Sequence, residues 1–259
     1  MSRTFFLASV LPPLELKAPA EILFDKLVFL YEENLDSRDR KALSHLRSFI
    51  DLSNVCRVIE GKPIDMRGNF SEQEIDEGLL HNVFLPEELF HFLDTYESKE
   101  ERIKNFPLFE LLFLKQQAEK TVGFRSFYFR FQFELKVLLA HWRSIKMGDS
   151  VLESVGSELE EEDFIVHLKG IKEQKNWHFP EEFSGLKAIL EKTDKNPEEQ
   201  YEAIEAYKFA RIQSYVQDKV FSMDYLLGYF ALFVLVEDYQ KLKVKQQHQW
   251  LETVCEGIG

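Results

Sequence analysis

The sequence predicts an all-α protein made of many packed helices, and three observations carry that expectation. The first is the stretch from Phe124 to Lys146. At about 100° per residue, Phe124, Phe131, Leu135, Leu138, Leu139 and Trp142 form one broad apolar stripe, and Phe129, Phe133, Val137 and Ala140 form a second on the other side. Two narrow polar seams separate them: Arg125, Gln132, Lys136 and Arg143, then Arg130, Glu134 and His141. A helix that is apolar on two sides has to lie between layers. The second observation is punctuation. Pro86-Glu87-Glu88, Pro180-Glu181-Glu182 and Pro197-Glu198-Glu199 read as helix starts. Proline suits the first helical position, and the glutamates face the positive end of the dipole. The third is composition. Only 11 Gly and 8 Pro among 259 residues disfavour a loop-rich β fold, while 24 Phe supply large surfaces for a core.

Taken in order, Phe5–Val10 reads as a short extended segment. Pro12-Pro13 interrupts this apolar start, and Pro19 spoils a cleavage site, so the start reads as mature protein and not as a signal peptide. A helix is expected from about Ala20 to Asn34, with Ile22, Leu23, Leu27 and Leu30 inward. Another is expected over about Arg38–Ile59, with Leu43, Leu46, Phe49, Ile50 and Val58 inward and Gly61 after its end. Two short helices follow at Glu72–Leu80 and Glu87–Tyr96, the first opened by the capping-box spacing Ser71-Glu-Gln-Glu74. Then come Pro107–Ala118 and the aromatic helix, which ends at Gly148. A helix over Glu181–Lys192 precedes Glu198–Lys219, which carries Phe209, Ile212, Val216 and Val220 on one side and is capped by Asn196. Ser222 caps the last helix, from Met223 to about Val254. Its apolar run Tyr225–Val236 is too short to span a bilayer and reads as a core helix.

The expected organisation is an N-terminal helical part over 1–148, an acidic connector over 149–163 and a C-terminal helical unit over 164–259, with one continuous fold as the alternative. Within the connector, Ser157–Asp163 has little to bury. Glu158, Glu160, Glu161 and Glu162 are either a solvated link or a docking element for a basic partner. Lys241, Lys243 and Lys245 are either a solvated helix end or the basic part of an interface. A net charge of −13 makes nucleic acid and anionic membrane surfaces poor partners. Cys56 and Cys255 have no ligand-like spacing and fit a reducing compartment. An acidic-apolar pattern recurs weakly at Asp51–Val55, Glu134–Leu138 and Asp224–Gly228, at a level amphipathic helices reach by chance.

The chain offers little chemistry. Glu88-Leu-Phe-His91 has the spacing that di-metal bundles use, but such a site needs a second copy and two further carboxylates, so a surface pair is expected. His141, with Arg130 and Glu134 on its seam, is either an acid–base group or part of an interhelical network, and the network is the expectation. No HExxH, GxSxG or glycine-rich phosphate loop is present. No catalytic, cofactor-binding or metal-ligating residue is therefore expected, nor a small-molecule substrate.

Several segments carry a family resemblance. They are Phe5–Leu14, Asp39–Asn54 with its Leu43-x-x-Leu46-Arg47, Phe49-Ile50-Asp51 and Asn54, the helix Phe124–Gly148, and Phe221–Tyr229 continuing through Val236-Glu237 and Leu242. Together they resemble a bacterial family encoded beside V-type ATP synthase genes. More distantly, the central helix resembles the repeated helix of the C-type component of V/A-type rotary ATPases, the part that joins stalk to rotor. The resemblance implies an all-helical wedge or funnel. It also implies a non-catalytic structural subunit that links the central stalk to the membrane rotor ring in proton or sodium transport. Its place would be cytoplasmic and peripheral to the inner membrane, held there by the ATPase complex, with no membrane span of its own. A free-standing helical adaptor or assembly factor is the alternative.

Overall fold

The computed structural model describes residues 3–147, 159, 162–172 and 179–256, with described side chains ending at Lys243. The described residues are helical throughout, with turns between the helices and no strand among them. The chain forms two compact units, one of Met1–Asp36 with His178–Gly259 and the other of Ser37–Trp177. This division differs from the expected cut at the acidic connector. The reason is burial: Leu7, Leu11, Leu16, Leu27 and Tyr31 near the N-terminus are core residues, and helices near the C-terminus help to cover them.

The discontinuous unit contains α1 (Arg3–Val10), α2 (Phe24–Asn34), a 3₁₀ turn (Glu181–Phe183), α9 (Ser184–Thr193), α10 (Pro197–Val216) and α11 (Met223–Glu256). The expected extended segment at Phe5–Val10 is in fact the helix α1. The six residues Phe5–Val10, apolar but for Ser9, have no readable period. Tertiary contact decides the matter: Leu7 is fully buried, and Phe5 stacks on Phe221 at 4.5 Å. The apolar run of α11 forms the core of this unit, with Leu226, Phe233 and Val236 fully buried. Three polar side chains tie the N-terminal segment to it. Tyr31 Oη donates to Leu226 O at 2.7 Å, Tyr229 Oη to Pro12 O at 2.8 Å, and Gln240 Nε2 to Leu16 O at 3.1 Å. Pro197 opens α10 behind the Asn196 cap as expected, whereas Pro180 stands one position earlier, at the N-cap of its turn.

The continuous unit contains α3 (Ser37–Glu60), α4 (Glu72–His81), α5 (Glu87–Thr95), α6 (Lys99–Lys120), α7 (Phe124–Met147) and α8 (Asp163–Lys172). Two differences from expectation stand out. Helix α6 begins eight residues before Pro107, at a capping box in which Ser98 and Glu101 satisfy each other's backbone N–H. Pro107 therefore sits inside the helix, on its exposed side, and removes one backbone bond. Helix α8 is the other difference. Its apolar residues Ile165 and Leu168, three apart, are fully buried behind the acidic stretch that masks them in the sequence.

Helices α6 and α7 fold back on each other through Thr121–Gly123. Gly123 takes a φ of 65°, and the Ser126 and Thr121 hydroxyls donate to carbonyls of the last turns of α6. Within Phe124–Lys146 only Arg143 and Lys146 are exposed, which matches the two-sided reading of α7. The α3–α6 core is an aromatic ladder in which Phe92 stacks on Phe109 at 4.7 Å and meets Phe106 edge-on at 5.8 Å. Replacing Phe133, fully buried, by alanine is expected to cost about 3–5 kcal/mol in denaturant unfolding, against about 0.5 kcal/mol or less for Arg143→Ala.

Candidate functional site

The densest polar constellation is a latch between α3 and the loop that follows it. Three α3 side chains at one-turn spacing, Arg47, Asp51 and Asn54, reach the segment from Asp65 to Phe70. Asp51 Oδ1 accepts the backbone N–H of Asn69 at 2.6 Å and that of Phe70 at 3.3 Å, and Oδ2 accepts from Asn69 Nδ2 at 2.6 Å. Asn54 bonds Asp65 in both directions, donating Nδ2–H to its carbonyl at 2.8 Å and accepting its N–H at 2.7 Å. Arg47 donates to the carbonyls of Arg67 and Gly68. Arg67 in turn forks onto the Asp65 carboxylate. Asp51 and Asn54 are buried, so each bond replaces water that the group has lost. A Cβ on Gly68 would lie 2.5 Å from Asp51 Oδ1 and 2.9 Å from Asn54 Nδ2, so the latch closes only over glycine.

Burial pushes the Asp51 carboxyl above the ordinary aspartate range, and the donors from Asn69 and Phe70 offset part of that rise. Beside it, His45 Nε2 shares a 2.7 Å hydrogen bond with Gln117 Oε1, and Arg125 Nη1 lies 3.3 Å from Nδ1. This network assigns the Nε2–H tautomer, with Nδ1 accepting from Arg125. Burial lowers the His45 pKa, and the Arg125 charge lowers it further. A cavity of about 390 Å³ opens here, lined among others by His45, Asp51, Asn69, Phe84 and Leu89. Of its polar groups, Asp51 and Asn69 are committed to the latch and His45 to Gln117 and Arg125, an arrangement that positions a loop.

The larger groove, about 650 Å³, runs between α5 and α6 and is lined chiefly by Phe92, Tyr96, Leu108, Phe109 and Leu112, with Glu88 and His91 at its edge. Glu88 pairs with Lys120 at 3.2 Å and His91 is exposed, so the Glu88/His91 motif is a surface feature. Among the described residues no group of three or more His, Cys, Asp and Glu side chains could hold a metal ion. No helix among them is long and apolar enough to cross a membrane. His141 is fully buried on α7, and Cys56 is half-buried against the α3–α6 core, which raises its thiol pKa.

Of the expected acidic interface, Glu158, Glu160 and Glu161 lie outside the described residues. Glu162 is described and faces inward: Lys115 Nζ lies 2.9 Å and Arg130 Nη1 2.7 Å from its carboxylate oxygens. It joins α6 and α7 to the start of α8. Of the basic residues, Lys243 is held by Glu202 and, at 3.5 Å, by Glu198, both on α10. Lys241 is exposed and pairs with Glu237 on its own helix at 3.9 Å, and Lys245 lies beyond the described side chains. Sequence reasoning singled out Arg47 through resemblance alone, and Asp51 and Asn54 through resemblance and a weakly recurring acidic-apolar pattern. The available physical signal was three polar residues at helical spacing on a side of α3 that also carries core leucines.

Fold and latch together define an all-helical protein whose best-formed polar site is structural. The chain belongs to the family described as "Protein of unknown function (DUF2764)", whose model matches residues 1–257. It is similar to a protein of Chlamydia muridarum, 25% identical over 264 residues that span 100% of this chain and 99% of the relative. Relatives in Chlamydia trachomatis and Chlamydia pneumoniae are 24% and 26% identical, covering 100% and 90% of this chain and 99% and 90% of their own lengths. All three carry the name "Uncharacterized protein". No solved structure matches the chain.

Replacing Asp51 by alanine leaves two part-buried backbone N–H groups, of Asn69 and Phe70, without their acceptor, an expected loss of about 1–3 kcal/mol. Amide exchange should quicken at residues 65–70 before it does elsewhere. The acid dependence of stability has opposing parts. Burial raises Glu162, but Lys115 and Arg130 outweigh it and hold its carboxyl below the usual range. Its contribution is thus present above about pH 4.3, the unfolded value, and is lost as pH falls through the folded one. Asp51, with a raised folded value, binds its proton earlier in the native state, and its ionised form costs stability above that value. Unfolding midpoints measured from pH 7 to pH 3 should therefore fall less steeply for Glu162→Gln and more steeply for Asp51→Asn than for the unchanged protein.

Proposed function

We propose that this protein is a non-catalytic structural subunit of a V-type rotary ATPase or ATP synthase, similar to the C-type component of such motors. In that role it links the central stalk to the membrane rotor ring. It binds no nucleotide and sits at the cytoplasmic face, held there by the complex. The funnel shape of the C-type component is the finer part of the same reading.

One observation carries the proposal. The residues through which the sequence resembles the bacterial family encoded beside V-type ATP synthase genes, and through its central helix the C-type component, are ones that set the geometry of a helical unit. Arg47, Asp51 and Asn54 close the latch, and the Phe124–Lys146 segment is buried on both its apolar sides. A resemblance spread over solvent-facing positions would carry no fold, whereas this one falls on positions that a shared helical architecture requires. Lys136 to Glu110 at 2.9 Å and Arg130 to Glu162 at 2.7 Å further cross-brace the long helices, as a part that transmits torque needs. The adaptor reading shares the helical fold and differs only in the partners it expects.

The test is a tagged pull-down from gently solubilised native membranes, with partners quantified by mass spectrometry. Recovery of rotor-ring and central-stalk proteins in near-equal amounts is the expected outcome. Recovery of an unrelated complex in constant ratio, with no rotary-motor protein, overturns the motor reading in favour of the adaptor.

A further inference from the structure

The link between α4 and α5 presents apolar side chains to solvent by a built and strained turn. Helix α4 ends at Asn82, whose φ of 54° turns the chain, and Val83 N–H then donates to Gly78 O at 3.2 Å. A Cβ on Gly78 would come within 2.9 Å of the Val83 carbonyl oxygen, so this close approach also depends on glycine. Next, Leu85 N–H donates to Val83 O at 2.8 Å, closing a γ-turn with Phe84 at its centre and a φ of 66°. A bulky residue in that region is a steric outlier. The turn buries Leu85 and leaves Phe84 69% exposed and Leu80, the penultimate residue of α4, 76% exposed. Pro86 then caps α5.

The sequence of this knuckle is strongly acidic, with Lys41, which lines the same cavity as Phe84, and Lys120, paired with Glu88, as the cations beside it. Residues 71–101 contain ten Asp and Glu and a single basic residue, Lys99, a net of −9 within a chain of net −13. Asp76 and Glu77 lie four and three residues before Leu80, on its side of α4, and Glu87 follows Phe84 by three. Glu72, Asp76, Glu87 and Asp94 are exposed and pair with no Lys or Arg among the described residues. Like charge disfavours a second copy of the chain, a nucleic acid or an anionic bilayer at this face.

We propose that the α4–α5 knuckle is the docking surface for a basic protein segment. Phe84 and Leu80 enter an apolar socket on the partner, and Lys or Arg side chains around that socket meet Asp76, Glu77 and Glu87. The surface stands whether or not the partner belongs to a rotary motor. It is distinct from Glu162 of the acidic connector, which is already held by Lys115 and Arg130.

The test uses the full chain and an 18-residue helical peptide of Lys and Leu with all leucines on one face, beside a scrambled peptide of equal charge. Backbone amide shifts are followed by NMR at about 0.15 M salt, where surface charges are screened beyond about 8 Å. The expected result is shifts centred on residues 72–97 for the amphipathic peptide, at least tenfold weaker binding of the scrambled one, and at least tenfold weaker binding by Leu80→Ser/Phe84→Ser. Glu32→Gln/Glu33→Gln, on α2, should bind normally. Phe84→Gly separates folding from docking: binding falls while the unfolding midpoint stays level or rises, because glycine relieves the turn. Three results would each overturn the proposal. The double serine variant could bind as the unchanged chain does. Phe84→Gly could lower the midpoint, making Phe84 a packing residue. Or the chain could self-associate through Phe84 in sedimentation, making a second copy the occupant.

Discussion

Phe129, Phe131 and Phe133 are all buried within five residues of one helix, and that requirement shapes the whole unit from Ser37 to Trp177. Successive odd positions on a helix point about 200° apart, so no single neighbour covers all three. Helix α6 covers one side, with Phe113 edge-on to Phe129 at 6.4 Å, and α8 also packs against α7. Enclosing α7 draws most of its polar seams against neighbouring segments, Arg143 excepted, and the side chains drawn in take partners there. Lys136 finds Glu110, Arg130 finds Glu162, and Arg125 finds His45. These pairs follow from the aromatic packing. They add register to a contact whose free energy comes from the phenylalanines.

The latch solves a different problem. A loop of about ten residues after α3 has no strand or helix to satisfy its backbone, so α3 supplies acceptors and donors from its own side chains. Asp51 and Asn54 give up solvent to do this, and Gly68 gives up a side chain. The result fixes where α4 begins. That start in turn sets where the strained link at Phe84 stands.

Helix positions were largely legible in the sequence because caps and periodicity are local. Ser71, Asn196 and the two faces of α7 announce themselves without tertiary help. The misreadings share a cause. Phe5–Val10 has too few residues for a period, and α8 is announced by only two buried positions behind a run of acids. Pro107 reads as a helix start because proline usually marks a first turn, whereas it occupies an exposed interior position where its lost bond is tolerated, and the helix begins at the Ser98–Glu101 box. The grouping of the N-terminal helices with α11 was not legible at all, since pairing across two hundred residues leaves no local trace. Candidate sites fared similarly. Glu162 reads as one more acid in a solvated run, and only the structure places Lys115 and Arg130 against it.

The division of the chain also sets an order of assembly. The unit from Ser37 to Trp177 is an uninterrupted stretch, complete in its contacts before synthesis ends. The other unit is not, because Leu27 and Tyr31 have no core until Leu226 and Phe233 have been made. At about 5–20 residues per second, that gap of some two hundred residues lasts roughly 10–40 s. For that time the N-terminal helices stand outside the ribosome with their apolar sides bare. The helices of this unit that are made early are thus among the last to fold, and their safe passage depends on whatever shields them meanwhile.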